Sequence, residues 1–325
     1  MRHSVHAALC FCYTILNHPA SAGRRNVPAH LSPLMQKIRK AIIPVAGFGT
    51  RFLPQTKALP KEMLPIVDKP VLQYVVEEAV ASGIEEIIIV TNQNKRPAED
   101  HFDVNAELES WLAHAGKTKE LKEVRAISEL ARFVYIRQKG PYGNGTPVLN
   151  AKHLIGDEPF AVLWGDDVFT GTPPHLAQLM RVYERYTDPV LTAFPVDDEG
   201  TTRYGMIEGK AVGRGVYEVS AVREKPGPKT KSRLAALGGY ILTPDIFPFL
   251  EKTKPGKGGE LWLVDAILAL AQRRPVYACV VKGEYYDVGS KLGWLKANVD
   301  FALQRKELQQ PFRAWLHQRL KSQRT

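Results

Sequence analysis

Short apolar segments alternate with segments of helical periodicity through the first half of the chain. The segment KAIIPVAG, residues 40–47, is a continuous apolar run ending in glycine, which is typical of a strand buried on both faces of a sheet. A helical segment follows at residues 71–83, with Asp68 as its expected N-cap and Pro70 in its first turn. The next apolar run, residues 85–92, has the composition of a second strand.

The alternation continues with two further strand-like segments, FVYIRQ at 133–138 and FAVLWGDD at 160–167. Residues 95–128 are polar and helical in pattern, as expected of an insertion on the surface. Repeated strand–helix–strand units predict an α/β fold with a doubly wound, mostly parallel, Rossmann-like central sheet. Ligands are expected at the carboxyl ends of its strands.

The character of the sequence changes after residue 188. Strand-like segments with few helices between them predict an added mixed or antiparallel β region over residues 189–303. We therefore expect one domain at 35–303, with halves at about 35–188 and 189–303, and a basic helix or tail at 304–325.

Residues 1–34 differ from the remainder. An apolar run at 7–16 and the small residues Ala20-Ser21-Ala22 resemble a weak secretory signal. Met35, however, begins MQKIRKAII and leads directly into the first strand. We interpret residues 1–34 as a leader that is disordered or outside the functional product.

The net charge of +10 is concentrated at the two ends of the chain. Residues 1–34 carry +3 and residues 304–325 carry +5, so the 269 residues between them carry only +2. A nucleic-acid-binding protein more often concentrates its charge on a folded face. We therefore expect solvated tails and no nucleic-acid partner.

Three cysteines do not form a disulfide framework, and this thiol-poor core fits a reducing compartment, which predicts a cytoplasmic protein. No apolar run reaches the ~18–20 residues needed to span a bilayer, so we expect no membrane partner.

A glycine-rich loop, Gly47-Phe48-Gly49-Thr50-Arg51, directly follows the first strand. Glycines at such a place allow backbone N–H groups to approach a phosphate, and Arg51 can grip two phosphate oxygens. Phe52 replaces the third glycine of a dinucleotide fingerprint, and the Walker lysine spacing is absent. Neither NAD nor P-loop binding fits this loop.

Two further positions carry charge at strand ends. Asp166 follows the fourth strand in Gly165-Asp166-Asp167, a position that suits Mg²⁺ binding, although an acidic turn has the same appearance. Lys61 lies between two prolines in the loop after the first strand, where it is either a phosphate ligand or a solvated lysine.

The stretch AGFGTRFLPQTKALPKEMLPIVDKP, residues 46–70, resembles the nucleotide-binding signature of the sugar-1-phosphate nucleotidyltransferase family. Within that family it is most similar to the bacterial branch that uses UTP and glucose-1-phosphate, over about residues 37–303. The resemblance implies Mg²⁺-assisted in-line attack of the sugar phosphate on the α-phosphorus, which gives UDP-glucose and pyrophosphate. Alternatives are a relative that uses dTTP, CTP or another sugar phosphate, and a non-catalytic regulatory protein on the same fold.

The resemblance also implies roles for individual residues. Arg51, Lys61 and Lys225 would be catalytic, the first two on the triphosphate and Lys225 on the sugar phosphate. Main-chain groups of the loop after the first strand and the uracil-reading loop would bind the nucleotide, at Ala46, Gly47, Gly49, Gln138 and Gly143.

On the sugar side, the resemblance implies contacts from Gly205, Glu224 and Gly239. Asp166 and Asp287 would hold Mg²⁺. Family members are also expected to form homodimers or homotetramers.

The chain departs from the family pattern at three places. RQKGPYGNGTP, residues 137–147, replaces a pattern close to RQGEPLGLGHA, and Ser290 replaces a usual acid after Asp287. GGELWLVDA, residues 258–266, replaces GGEIQLTDA, so that Trp262 either stacks on a sugar or packs, and we favour packing.

Overall fold

The structure is a computed structural model that describes residues 36–322. The interpretation of residues 1–34 as a leader therefore lies outside the described residues. So do the last three residues of the basic C-terminal segment.

The described strands are β1 Lys40–Pro44, β2 Pro65–Ile66, β3 Lys69–Pro70, β4 Glu86–Thr91, β5 Arg132–Arg137, β6 Phe160–Val162, β7 Asp167–Thr170, β8 Val190–Pro195, β9 Gly205–Gly213, β10 Val216–Glu224, β11 Leu234–Leu242, β12 Tyr277–Val280 and β13 Glu284–Asp287. The described α-helices are α1 Val71–Ala81, α2 Arg96–Asp100, α3 Ala106–His114, α4 Thr118–Ser128, α5 Gly145–Asn150, α6 Lys152–Ile155, α7 His175–Tyr186, α8 Gly200–Arg203, α9 Phe247–Lys252, α10 Leu263–Ala271, α11 Lys291–Gln304 and α12 Lys306–Ser322.

Nine strands form one sheet in the order β5-β4-β1-β6-β11-β8-β12-β10-β9. The first four are parallel to one another, as predicted for the first half of the chain. Strand β11 then pairs antiparallel with both β6 and β8, and β10 pairs antiparallel with β12 and β9. Strands β8 and β12 are parallel.

The mixed α/β class is confirmed, and apart from the β8–β12 pair the parallel part of the sheet is confined to the four strands of the first half. Among its eight neighbouring pairs, four are parallel and four antiparallel. The second half of the chain continues the same sheet and does not lie beside it. Its geometry follows from short connections, since β9 and β10 are separated only by Arg214-Gly215, and two strands joined so closely must be antiparallel.

The sheet is buried on both faces because neighbouring residues of its strands face opposite cores. Ala41 and Ile43 of β1 pack with α1 and α7 in one cluster. Ile42 packs in the other cluster, which includes buried residues of α5, α9 and α10. Burying aliphatic side chains on both faces holds the carboxyl ends of β1 and β6 in fixed positions, and the loops that follow them carry the site.

The start of helix α1 differs from the prediction that Asp68 is its N-cap. Helix α1 begins at Val71, its N-cap is Pro70 and no side chain caps it. Asp68 instead pairs with Arg305, between α11 and α12. An arginine 237 residues away therefore replaces the local partner that the sequence suggested.

Candidate active site

A cavity of about 820 Å³ lies where the loops after β1 and β6 meet strands β9, β10, β11 and β13. Four basic and four acidic side chains line it, together with several aromatic ones. Seven of the thirteen residues predicted from the sequence are among its lining residues, namely Arg51, Lys61, Asp166, Gly205, Glu224, Lys225 and Asp287.

Lys61 and Asp166 are in direct contact at the base of this cavity. Lys61 Nζ lies 2.5 Å from Asp166 Oδ2 and 3.9 Å from Glu62 Oε1. Burial by itself would lower the pKa of the Lys61 ammonium, but the charges of Asp166 and Glu62 outweigh it and raise that pKa. Burial would likewise raise the pKa of the Asp166 carboxyl, but Lys61 and Arg51 hold it below its ordinary value. Lys61 is therefore no solvated loop lysine.

A separate two-stranded sheet brings Asp287 close to Asp166. Strands β7 and β13 pair antiparallel with Asp167 opposite Asp287, and Val288 N donates to Asp166 O at 3.1 Å. A Cβ built on Gly289 would overlap Asp166 Oδ2 and lie 3.2 Å from Asp287 Oδ1. The two predicted metal carboxylates therefore converge on a gap that exists because residue 289 is glycine.

Arginines flank this gap. A Cβ on Gly289 would lie 3.3 Å from Arg51 Nη2, and Arg51 Nη1 is 3.9 Å from Asp287 Oδ1. Arg203, at the end of α8, donates from Nη2 to Asp287 Oδ2 at 2.9 Å and also lines the cavity. Sequence reasoning missed Arg203, because it lies in no phosphate-binding motif and only its position two residues before Gly205 connects it to the site.

Asp167 was also not singled out, although its place in Gly165-Asp166-Asp167 was a usable signal. It accepts hydrogen bonds from Tyr285 Oη at 2.9 Å and from Gly238 N at 3.1 Å. Burial and the neighbouring Asp166 charge raise the pKa of the Asp167 carboxyl to about 8. This residue thus links the start of β7, next to the predicted metal ligand Asp166, to the Gly238 backbone of β11.

Glu224 and Lys225 lie at the end of β10, at the side of the cavity. Lys225 Nζ is 3.2 Å from Glu224 Oε1, and both side chains are more than half exposed, at 56% and 68%. Lys225 has a positive φ of 44°, which is uncommon for a residue with a side chain. A Cβ on Gly205 would lie 3.3 Å from Glu224 Oε2, so these two predicted sugar-binding residues are neighbours.

The predicted nucleotide-binding residues lie outside this cavity. Gly47 lines a second cavity of about 400 Å³, and Ala46 O accepts from Asn92 Nδ2 at 2.7 Å. Gly49 has a φ of 66°, and a Cβ there would press on Lys61 and Thr56. The glycine thus allows Lys61 to pass close to the loop backbone.

The other two predicted base-reading residues lie on a separate loop. Gln138 donates from its backbone N to Thr91 O at 2.8 Å, and its side-chain amide makes no hydrogen bond within residues 36–322. Gly143 has a φ of 116°, and a Cβ there would overlap the Leu261 carbonyl.

Gly239 does not line the large cavity. A Cβ there would overlap the His175 ring, and Gly239 O accepts a buried hydrogen bond from Thr192 Oγ1 at 2.5 Å. Its neighbour Gly238 lines the cavity and contacts Trp164 and Asp167. At this irregularity in the pairing of β11 with β8, the residue adjacent to the predicted one faces the site.

Comparison with known proteins decides the family. The sequence model of a family described as "Nucleotidyl transferase" matches residues 40–304, which include every predicted site residue. The chain belongs to the nucleotidyl transferase family.

Relatives within this family are close. The chain is 48% identical over 289 residues to the UTP–glucose-1-phosphate uridylyltransferase YngB of Bacillus subtilis, covering 89% of this chain and 97% of that protein. It is 52% identical over 275 residues to another UTP–glucose-1-phosphate uridylyltransferase of the same organism, covering 84% and 94%.

Solved structures of family members agree in fold. A UDP-glucose pyrophosphorylase complexed with UDP-glucose has a TM-score of 0.76 and 43% identity, covering 83% of this chain and all of that chain. A UTP-bound UGPase from Acinetobacter baumannii has a TM-score of 0.81 and 36% identity, with coverages of 86% and 99%.

The departures from the family pattern acquire structural explanations. Ser290 is the N-cap of α11: its Oγ accepts from Gly293 N at 3.1 Å and donates to Asp287 O at 2.9 Å. Asn144 Oδ1 accepts from Leu263 N at 2.8 Å, at the start of α10. Trp262, for which packing was favoured, lines the large cavity.

The described residues contain neither a membrane-spanning helix nor a ready-made metal cluster. Between residues 36 and 322, no helix is both long and apolar enough to cross a bilayer. Across the same range, no three His, Cys, Asp or Glu side chains cluster closely enough to form a metal site by themselves.

Proposed function

We propose that the protein transfers the uridylyl group of UTP to glucose-1-phosphate, which gives UDP-glucose and pyrophosphate. The observation that carries this proposal is the convergence of Lys61, Arg51, Asp166 and Asp287 in one cavity with Glu224 and Lys225. Relatives about half identical to this chain carry the name UTP–glucose-1-phosphate uridylyltransferase.

The proposed metal is Mg²⁺, held by Asp166 and Asp287. Carboxylate oxygens are the ligands that Mg²⁺ prefers, and it commonly takes one or two of them, with phosphates and water completing its shell. The gap over Gly289, on which Asp166 Oδ2 and Asp287 Oδ1 converge, fits this donor set. When bound, the ion would supply positive charge that neutralises the phosphate groups of the two substrates.

The charge of the cavity lining supports a metal requirement. Four basic and four acidic side chains line the cavity, so its side chains offer little net charge to two polyanionic substrates. Without an added cation, repulsion between the two phosphate groups would oppose their approach. A divalent ion supplies the missing positive charge.

The chain's own residues would then position and neutralise the reacting groups. Arg51 and Lys61 would bind the triphosphate, and Lys225 would hold the attacking phosphate of the sugar. Lys61 is already oriented by its 2.5 Å contact with Asp166, so little reorganisation is needed on binding. Positioning and preorganised charge are the main sources of rate in phosphoryl transfer, and no covalent enzyme intermediate is required.

We assign the second cavity and its neighbouring loop to the nucleotide. Backbone groups of Ala46, Gly47 and Gly49 would approach the base and phosphates, and Gln138 with Gly143 would read the uracil edge. An amide that makes no hydrogen bond within the described chain, such as that of Gln138, can donate and accept at once.

We assign Gly205, Glu224 and Gly239 to the sugar. Glu224 is two-thirds exposed in the cavity lining and can accept bonds from hydroxyl groups. Gly239 would contribute through the irregular strand backbone that it shares with Gly238, since its own Cα faces His175.

A substrate panel tests the proposal. Pyrophosphate release is measured with glucose-1-phosphate and each of UTP, dTTP and CTP, and with UTP and other hexose-1-phosphates. The proposal predicts the highest kcat/KM for UTP with glucose-1-phosphate. A preference for dTTP or for another sugar phosphate would contradict it.

We further propose that the protein is cytoplasmic and forms a homodimer or homotetramer. Sedimentation of the purified protein would test the number of subunits.

A further inference from the structure

Trp262 lies on the sugar side of the site. It lines the cavity that also contains Gly205 and Glu224. Arg51 and Lys61, which are proposed to bind the triphosphate, line it as well. The other proposed nucleotide-contacting residues do not, namely Ala46, Gly47, Gly49, Gln138 and Gly143. A ligand group in contact with Trp262 is therefore the sugar or a phosphate group, and the electron-rich face of an indole suits the sugar and not an anionic phosphate.

The backbone around Trp262 is fixed by a three-bond clamp. Leu261 N donates to Tyr142 O at 2.7 Å, and Gly145 N donates to Leu261 O at 2.9 Å. The Asn144 side chain completes the clamp, because its Oδ1 accepts from Leu263 N at 2.8 Å. These bonds hold the residues on both sides of Trp262.

The clamp also caps a helix. Leu263 is the first residue of α10, whose N-cap position is occupied by Trp262 with no side-chain cap of its own. The Asn144 oxygen therefore satisfies one of the unpaired N–H groups at this helix end, from a loop that is distant in sequence. Asn144 and Trp262 line the cavity together.

The indole of Trp262 lines the cavity and has a donor without a hydrogen-bond partner among the described residues. A Cβ on Gly256 would lie 3.3 Å from Trp262 Cδ1 and 3.6 Å from Nε1, so the edge of the ring that carries the donor lies beside that loop. Within residues 36–322, Nε1–H donates no hydrogen bond, and it is not among the buried polar atoms that lack a partner. The donor is therefore accessible from solvent.

We propose that Trp262 is the hexose-contacting wall of this site, and that Asn144 is the positioning residue that holds it there. The flat indole face would stack on the apolar C–H face of the pyranose ring, with Nε1–H available to a hydroxyl group. This inference rests on the proposed function, because it assigns a contact within the sugar half of that site.

Affinities for two ligands isolate the hexose contact. UDP-glucose contains the hexose and UTP does not, so calorimetry with each, in the presence of Mg²⁺, is compared for wild type and Trp262→Ala. We expect the Kd of UDP-glucose to rise at least tenfold and that of UTP to change less than twofold. Trp262→Phe, which keeps an aromatic face, should recover most of the affinity.

Trp315→Ala is the matched control. Trp315 is 53% exposed on α12 and does not line the cavity, so its removal should leave both affinities unchanged. Thermal unfolding of every variant identifies any general loss of structure.

Asn144 is tested through its dependence on Trp262. Asn144→Ala should weaken UDP-glucose binding in the same direction, whereas Asn144→Asp should not, because a carboxylate still accepts from Leu263 N–H. The double variant Asn144→Ala/Trp262→Ala should bind UDP-glucose no more weakly than Trp262→Ala alone, since a positioning residue has nothing left to position. Additive losses would overturn the role of Asn144.

Equal losses of UTP and UDP-glucose affinity in Trp262→Ala would overturn the assignment, and so would no loss of either. These readouts do not depend on turnover. A wild-type protein that binds UDP-glucose through Trp262 but fails to make it from UTP and glucose-1-phosphate would contradict the proposed function alone.

Discussion

Lys61 and Asp166 form a direct ion pair, with Nζ and Oδ2 2.5 Å apart, although 105 residues separate them in the sequence. Each side chain is more than four-fifths buried, at 17% and 18% exposed. The lysine comes from the loop after β1 and the aspartate from the loop after β6, and these two strands are adjacent and parallel. The pair therefore joins the proposed triphosphate ligand to the proposed metal ligand.

Removing divalent metal should stop turnover. Asp166 and Asp287 converge on one gap, and the small net charge of the cavity leaves most of the repulsion between substrate phosphates uncompensated without a cation. Excess EDTA should abolish pyrophosphate release from UTP and glucose-1-phosphate, and excess Mg²⁺ should restore it. Turnover that persists at full rate in EDTA would refute the metal assignment.

Gly289→Ala should impair catalysis with little effect on the fold. The added Cβ would overlap Asp166 Oδ2 and crowd Asp287 and Arg51. A displacement of about 1 Å at reacting groups can cost roughly 10²-fold in rate, so we expect a loss of that order in kcat/KM. The apparent affinity for Mg²⁺, measured from the activity, should fall as well.

Gly213→Ala is the control for this substitution. A Cβ on Gly213 meets only ordinary contacts, at 3.6 Å from Tyr186 Oη and 3.9 Å from Val216 Cβ. Its activity should match that of wild type. Wild-type kinetics in Gly289→Ala would show that the gap is not used.

The sequence predicts those parts of the site that depend on local pattern. Asp166 directly follows an apolar strand, and Lys61 lies in a loop at a strand end, so both could be identified as candidates, and the family resemblance then implied a role for each. Arg203 and Gly289 could not be identified in this way, because their proximity to the site depends on where the fold places Asp287. That position is set by the pairing of β13 with β7, a long-range register that no local signal specifies.

The same limit applies to the sheet and to helix α1. Apolar runs identified β1, β4 and β6, but their burial pattern does not specify which strand of the second half lies beside β6. Asp68 has the residue type and position of an N-cap, yet Arg305 competes for it with two charge-assisted bonds. In both cases, contacts between residues that are distant in the sequence determine the structure.

Cys279 should resist alkylation in the folded protein. Burial in β12 raises the pKa of its thiol to about 11, above its ordinary value. The thiolate is the reactive form, and at pH 8 only roughly one part in a thousand would be ionised. Iodoacetamide followed by peptide mass spectrometry should find Cys279 unmodified in native protein and modified after denaturation. Equal modification in both states would contradict its burial.

Lys225→Ala and Lys61→Ala should impair the use of different substrates. Lys225 is proposed to hold the sugar phosphate and Lys61 the triphosphate, so the first variant should retain near-normal UTP binding. Losing a charge-assisted contact costs about 1.5–3 kcal/mol, and more where the contact strengthens in the transition state. We therefore expect kcat/KM for glucose-1-phosphate to fall at least tenfold in Lys225→Ala, while Lys61→Ala weakens UTP binding measured by calorimetry.

Lys229→Ala is the control. Lys229 is an exposed lysine four residues beyond Lys225 and lies outside the large cavity, so this variant should behave as wild type. If Lys225→Ala abolished UTP binding and left the KM for glucose-1-phosphate unchanged, the two halves of the site would be assigned the wrong way round.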